Sequence, residues 1–416
     1  MSTKEIRHWL ISVVFIWVFS NFLFSQSHTR DTFRQKPTNR LEDIIQSYVE
    51  SREGEGEFDY NTLYDKLDYL QSHPLNINDE DEIDDLFLLS PLQIINIKNY
   101  IKQHGELISI YELQAVPGLD IQSIKFILPF IKLQANFDQY NVPIAEMMRY
   151  GDHQLFFRTG QYLQSQAGYD RTRNSFYRGN PSRLYFRYKY FYENKLSIGF
   201  TAEKDPGEEF FRGSNKQGFD YYSFHFALRN INKIIKDMVV GDYNLSFGQG
   251  LIMHSGFGVG KSPWATNIRK ADRPIRPYSS VNESNFLRGI ASSFKLNKSL
   301  DATILFSSRK KDGNIVTDSV DRETLFSSFQ ESGYHRTASE ISDENKLSEY
   351  MVGGAIKYKK KDGHIGINAL HTFFSKEFQK QNRPYNEFAF RGNNLFQISL
   401  DHSLQIRNFH FFGEAA

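Results

Sequence analysis

The sequence predicts an α+β multidomain protein. A small all-α domain is followed by an antiparallel transmembrane β-barrel with about eleven strands, which we expect to be incomplete at its C-terminal end. Apolar residues recur at helical spacing before about residue 133 and at every second position after about residue 150. The connections between the predicted strands are alternately short and long. Residues 40–133 carry a net charge of −11, whereas residues 134–416 carry +9.

The N-terminus predicts an exported protein. Lys4 and Arg7 precede an apolar run from Trp9 to Phe24, and small polar residues follow. This is the layout of a secretory signal peptide, so we assign residues 1–26 to the signal peptide and residues 27–40 to a linker. An uncleaved anchor helix remains an alternative. The chain contains no cysteine, which excludes disulfides, thiolate metal sites and a lipid-modified cysteine.

Residues 41–140 predict a periplasmic helical domain, because apolar residues such as Leu63, Leu67 and Leu70 recur at helical spacing. The acidic run at 79–85 lacks the glycine and the closing glutamate of a calcium-binding loop. We therefore interpret it as the acidic first turn of a helix, and we predict neither a metal nor a cofactor.

Residues 145–416 predict the barrel, because each strand spans about 9 to 12 residues, enough for a tilted strand to cross a bilayer. Short periplasmic turns alternating with long extracellular loops are typical of outer-membrane barrels. A secreted β-sandwich or solenoid is the rival fold. The predicted strands are 153–164, 182–193, 195–204, 219–229, 234–247, 285–296, 299–308, 350–360, 363–374, 393–406 and 408–416. The predicted long loops are 165–181, 205–218, 248–284, 309–349 and 376–392.

The two faces of the predicted strands differ in polarity. A lysine or arginine at the midplane of the lipid face costs about 2–4 kcal/mol, whereas a polar lumen is normal. We therefore expect four basic residues to face the lumen and the Phe, Leu and Tyr residues to face lipid. A soluble barrel with the apolar stripe inside is the alternative. The lumen-facing set is Arg183, Arg187, Lys189 and Arg229.

The helical segment contains a recognisable combination of short motifs. They are Asn-Ile-Asn at 76–78, Asn-Tyr-x-x-x-x-Gly at 99–105 and Ser-x-x-Glu-Leu at 109–113. Together, over about sixty residues from 75 to 133, they resemble the tandem helix-hairpin-helix domain of ComEA-type competence DNA receptors. The resemblance implies four or five compact helices and binding of duplex DNA without sequence preference.

In such a domain the hairpin glycines let backbone N–H groups approach a phosphate. The resemblance implies that Gly118, the amide of Leu119 and Lys125 contact the DNA backbone. Two departures oppose this role: the first hairpin, at 88–92, has no glycine, and Asp120 replaces the last glycine of the second. Because the segment is also acidic, we favour protein docking, with DNA binding as the alternative.

The long loop at 248–284 contains three further features that could form a site. His254 and Ser255 could suggest a hydrolase, but adjacent strand residues face opposite ways. The Gly-x-Gly-x-Gly of 256–260 is not followed by a helix pattern, so we interpret it as a loop entrance. Basic residues interleaved with aromatic ones could bind lipopolysaccharide phosphates or a nucleic-acid strand. They are Arg269, Lys270, Arg273 and Arg276.

The sequence therefore predicts a non-enzymatic outer-membrane protein with a periplasmic helix-hairpin-helix module. We expect it to act in transport, secretion or envelope assembly, with outer-membrane lipid and a periplasmic protein as partners. A receptor for double-stranded DNA is the alternative function, and an outer-membrane hydrolase is the third.

Overall fold

The computed structural model describes Leu67, Leu70, Gln71 and the following ranges: 74–83, 86, 88–133, 142–255, 274–317, 324–360, 363–380, 383–406 and 409–416. The predicted signal peptide and linker lie outside these residues. The chain divides into the units Met1–Tyr48 and Val49–Ala416, and every described residue belongs to the second unit.

A short mixed segment precedes the large sheet. Three helices, α1 (Glu80–Ile83), α2 (Pro91–His104) and α3 (Ile121–Ile127), are joined to 3₁₀ turns at Ile110–Ala115 and Leu128–Phe130. Strands β1 (Leu75–Asn76) and β2 (Ile131–Lys132) pair in parallel. The sequence predicts an all-α segment, whereas the structure also contains this small sheet. The two ends of the segment bury extended backbone side by side, where pairing satisfies the peptide groups.

Capping residues set the starts of the two longer helices. Ser90 forms a capping box with Gln93 ahead of Pro91, the first residue of α2. Asp120 caps α3 by accepting a 2.6 Å hydrogen bond from the Ser123 N–H. Asn78 is buried and exchanges two hydrogen bonds, of 2.8 and 3.0 Å, with the backbone of Leu107. The Asn-Ile-Asn motif thus ties the start of the segment to the end of α2.

The remainder is one large, mainly antiparallel sheet with two short helices, α4 (Ile144–Met147) and α5 (Ala338–Asp343). Its strands are β3 (Asp152–Gln161), β4 (Ser182–Tyr192), β5 (Leu196–Lys204), β6 (Tyr221–Arg229), β7 (Ile235–Leu245), β8 (Ile275–Pro277), β9 (Leu287–Lys295), β10 (Leu300–Lys311), β11 (Gly313–Thr317), β12 (Thr324–Phe329), β13 (Leu347–Lys360), β14 (Gly363–Phe378), β15 (Gly392–Ile406) and β16 (Phe409–Ala415).

The eleven strands that the sequence predicts all form, and ten antiparallel pairings join them in chain order from β3 to β16. Short and long connections alternate as predicted. The loop at 309–349 is more ordered than predicted, because β11 and β12 form a hairpin that joins β14 through one parallel pair, Phe326 and Phe378. In the described part of the chain β3 and β16 remain edge strands, so the sheet is not closed into a barrel.

The two faces of the sheet differ in the side chains that they expose. On β10 the large apolar side chains of Ile304 and Phe306 are exposed, while Thr303, Ser307 and Arg309 are buried. The same alternation continues over β13, β14 and β15. The buried face is mixed, since it also holds an apolar cluster around Tyr243, Leu305 and Leu370. We call these the apolar face and the inner face.

Candidate functional site

A basic cavity lies between α2 and the inner face, at the end of the sheet where the turns are short. Its volume is about 540 Å³. Helix α2 contributes Lys98 and Lys102 to the lining. The strands and turns contribute Arg229, Lys236, Lys298, Lys357, Lys359 and Lys360. The cavity thus gathers eight cations from elements that are far apart in the sequence.

Two aspartates are the acidic residues of the described lining, and each is held by a cation. Asp237 lies 3.3 Å from the Arg229 guanidinium, and Asp301 lies 2.6 Å from the Lys359 ammonium. With eight lysines and arginines against two aspartates, the described residues of the lining carry a formal charge of +6. This charge makes the cavity attractive to anions.

A glutamine from the sheet holds α2 over the cavity. The Gln405 side chain accepts a 3.1 Å hydrogen bond from Asn99 and donates one of 3.1 Å to Asn96. Asn96 also donates to the carbonyl of Pro117 at 2.8 Å. Gln405 therefore connects β15 with the helix and, through Asn96, with the second hairpin.

Replacing Gln405 with alanine is expected to loosen α2 from the sheet. Each lost hydrogen bond contributes about 0.5–1.5 kcal/mol, so local opening should become easier by about 1–3 kcal/mol. Hydrogen exchange of the amides in 94–104 measures this opening. Gln397→Ala, on the inner face of the same strand, is the matched control. Unchanged exchange in Gln405→Ala would show that other contacts hold the helix.

A second polar cluster joins the long loops at the opposite end of the sheet. Buried His335 donates from Nδ1 to the Asp220 carboxylate and from Nε2 to that of Asp312 at 3.0 Å. Its backbone N–H donates to Glu208 at 3.1 Å, and Glu208 also accepts from the Asp205 N–H at 2.8 Å. Asp220 and Asp312 therefore meet at the imidazole, and Glu208 joins them through the backbone of His335.

The cluster perturbs its own titration. Burial lowers the pKa of His335, but hydrogen bonds and charge from Asp220 and Asp312 outweigh it and raise the pKa to about 11. Burial and the charge of Asp220 raise the pKa of Glu208 to about 8. Burial, with the charges of Asp220 and Glu208, also raises the pKa of Glu283 well above its usual value. At neutral pH the cluster therefore contains an imidazolium and at least one protonated carboxyl.

The same cluster contains metal-ligand types. One ligand atom each from Glu208, Asp220 and His335 lies within 4.8 Å of the other two. Both ring nitrogens of His335 are occupied by carboxylates, however. A divalent cation could bind the imidazole only if one of these hydrogen bonds broke.

All four basic residues expected to face the lumen lie on the inner face. Arg187 is only 3% exposed, and its guanidinium lies over the rings of Phe156 and Tyr185. Arg183 pairs with Glu203 at 2.8 Å near the long-loop end. Lys189 is half-buried, and Arg229 pairs with Asp237 in the cavity. The structure distributes the four along this face and does not bring them together.

The second hairpin has few groups left for a phosphate. Gly118 adopts a φ of +77°, and its carbonyl accepts from Gln93 at 3.2 Å. The Leu119 N–H donates to Val116 at 3.3 Å, so this amide serves the hairpin itself. Lys125 is exposed on α3. Of the three residues implied in DNA contact, Lys125 alone presents a side chain to solvent.

The loop after β7 contains no pairing of His254 with Ser255. Ser255 Oγ exchanges hydrogen bonds with the backbone of Leu245, while His254 contacts Ser246 Oγ at 3.0 Å. The neighbouring backbone N–H groups of Gln249 and Leu251 donate to Glu414 of β16 at 2.7 and 3.0 Å. The loop thus folds across the inner face from β7 to β16. Of the four basic loop residues, Arg276 lies in β8, and the others are outside the described residues: Arg269, Lys270 and Arg273.

Sequence reasoning missed both polar sites. His335 stands in a predicted long loop without ligand spacing, and its partners lie 23 and 115 residues away. Lys357 and Lys359 lie two residues apart on one face of β13, so alternation along this strand is the one local signal for the cavity. The cavity itself forms only because the neighbouring strands and α2 enclose those lysines with further residues.

No protein-family model matches the chain, and no curated protein matches it either. Among the described residues, the helices are too short or too polar to cross a bilayer.

Proposed function

We propose that the chain is an outer-membrane β-barrel protein whose helical segment docks at the periplasmic mouth. The observation that carries this proposal is the apolar face. Ile356, Ile367 and Leu400 stand side by side on three neighbouring strands and are 55%, 53% and 51% exposed.

An isolated exposed apolar residue is ordinary, but a contiguous patch over several strands is not stable in water. Here the patch continues from β10 through β16, from Ile304 to Phe411. The polar residues on the opposite face satisfy one another, as Asn368 does by donating to Ser399 at 3.1 Å and Asp401 at 2.8 Å. Lipid around the apolar face explains both halves of this arrangement.

Two contacts support a curled sheet with an enclosed interior. The loop after β7 reaches Glu414 on β16, although five other strands of the path lie between them. The cavity is also lined by residues of every strand of that path from β6 to β16. A finished barrel would bring the edge strands into pairing, which removes exposed backbone groups from lipid.

The docked helical segment favours a role in transport, secretion or envelope assembly through protein contacts. Gln405 holds α2 at the short-turn end, which is the periplasmic end of an outer-membrane barrel. Ile108 and Tyr111 of the segment lie three residues apart in the sequence, and their side chains are 91% and 76% exposed. We propose that they belong to the surface for a periplasmic protein partner.

Labelling of single cysteines tests the membrane assignment, and the chain offers a clean background because it has none. Ile398 points to the apolar face and Gln397 to the inner face of the same strand. With a bimane label on each cysteine variant in lipid vesicles, we expect spin-labelled acyl chains to quench the label at 398 strongly. The label at 397 should be quenched little. Equal, weak quenching at both would contradict the proposal.

A DNA-receptor role is the second proposal, favoured by the exposure of Lys125 on α3, the helix that follows the hairpin of Gly118. The acidic composition of the segment and the occupied Leu119 amide oppose it. Fluorescence anisotropy of the full chain with duplex DNA distinguishes the roles, since salt-sensitive binding lost in Lys125→Glu would favour the receptor. A hydrolase is the weakest alternative, because Ser255 is bonded to backbone.

A further inference from the structure

We propose that the basic cavity between α2 and the inner face binds a small ligand with two or more phosphate groups. The site goes beyond the proposed function and does not depend on whether the sheet lies in a membrane. Its volume of about 540 Å³ falls in the range of about 300–1,000 Å³ that small-molecule sites occupy.

Several phosphates fit better than one because cations line both walls. Lys98 and Lys102 come from the helix, and Lys357 and Lys359 come from β13. The ammonium group of Lys359 is repelled by the like charges of Lys236 and Lys357, and one aspartate, Asp301, offsets this repulsion. An anion bridging the walls would relieve it further.

Neutral donors complete the site. Ser403 and His410 share a 2.8 Å contact at the cavity wall. Ser293 and Thr303, whose hydroxyl groups share a 3.1 Å hydrogen bond, also line it. Hydroxyl and imidazole groups can each donate to a phosphate oxygen, while the lysines act as point charges. Carboxylates, which would repel a phosphate, are limited in the described lining to the two paired aspartates.

The site exists only while α2 is docked, because the helix supplies one wall. Ligand binding and helix docking are therefore coupled, and each must strengthen the other by the same free energy. The ligand should consequently slow hydrogen exchange in 94–104, a readout that a loosely bound counterion would not give.

Isothermal titration of the full chain with sodium tripolyphosphate tests the site, with orthophosphate and sulfate for comparison. We expect tripolyphosphate to bind most tightly, to bind more weakly as salt is added, and to protect α2 from exchange. The double variant Lys98→Gln/Lys357→Gln changes one lysine in each wall. It should weaken binding by at least about tenfold, which corresponds to about 1.4 kcal/mol of binding free energy. The matched control is Lys216→Gln/Lys310→Gln, since both of those lysines are exposed outside the cavity.

Two further probes separate the sources of the phosphates. ATP represents a soluble ligand, and detergent micelles carrying diphosphorylated lipid A represent a lipid headgroup. Competition by either one supports the site and names its source. Three results would each overturn the proposal. They are equal binding by both double variants, no protection of α2 from hydrogen exchange, and competition by a single-stranded oligonucleotide alone. Circular dichroism of each variant verifies that loss of binding is not loss of fold.

Discussion

Replacing Ile367 and Ile398 with arginine is expected to prevent stable insertion of the protein into lipid. Both residues lie on the apolar face of adjacent strands and are 53% and 56% exposed. In water such exposed positions would accept arginine with little change, commonly within about 0.5 kcal/mol. In the lipid interior each arginine costs about 2–4 kcal/mol. The pair should therefore lower the free energy of unfolding from vesicles by about 4–8 kcal/mol if the two changes add.

Urea titration of the protein folded into vesicles measures this change. Phe388→Arg is the matched control, because Phe388 is 98% exposed in the loop before β15 and should be outside the lipid. A double variant as stable as this control would mean that water, and not lipid, covers the apolar face. The proposed barrel would then be wrong, whereas the sheet itself would stand.

The sheet could be predicted because its signals are local. Alternation within 182–193 placed Arg187 and Lys189 on one face and Tyr188 on the other, and the structure has them there. Hairpin neighbours follow from chain order, since sequential antiparallel strands usually pair. Closure is a different matter, because it depends on whether two edge strands meet. Nothing local to β3 or β16 decides that.

The polar sites could not be predicted because they arise from long-range contacts. Gln405 looks like one more inner-face residue of β15 until α2, about 300 residues earlier, supplies Asn96 and Asn99. The short strands β1 and β2 escaped prediction for a similar reason. Each has two residues, too few for any period, and their pairing depends on the fold between them.

Replacing His335 with alanine is expected to loosen the long loops strongly. The imidazolium donates to both Asp220 and Asp312, and its backbone also positions Glu208. Without it, buried carboxylates would face one another with no cation between Asp220 and Asp312. Removing one partner of a buried ion pair typically costs about 3–5 kcal/mol. Hydrogen exchange of the amides in 206–220 and 330–337 should rise accordingly.

The effect should depend on pH with a definite sign. The pKa of His335 is raised from 6.5 to about 11, so its contribution is complete below about 6.5 and is lost as the pH rises through about 11. The pKa of Glu208 is raised from 4.5 to about 8, so its contribution is likewise lost as the pH rises through about 8. The loop cluster therefore weakens as the pH rises, through Glu208 between about pH 4.5 and pH 8 and through His335 between about pH 6.5 and pH 11.

The alanine variant separates these two contributions. The contribution of His335 is complete at about pH 5 and partly lost at about pH 8, so the loss of stability caused by His335→Ala should be larger at about pH 5 than at about pH 8. His104→Ala is the matched control, because His104 is exposed and bonds only to Tyr100 in its own helix. A loss that is the same at both pH values would mean that His335 stabilises the loops by packing. The two hydrogen bonds to the carboxylates would then contribute little to stability, and the stability of the cluster would not depend on pH.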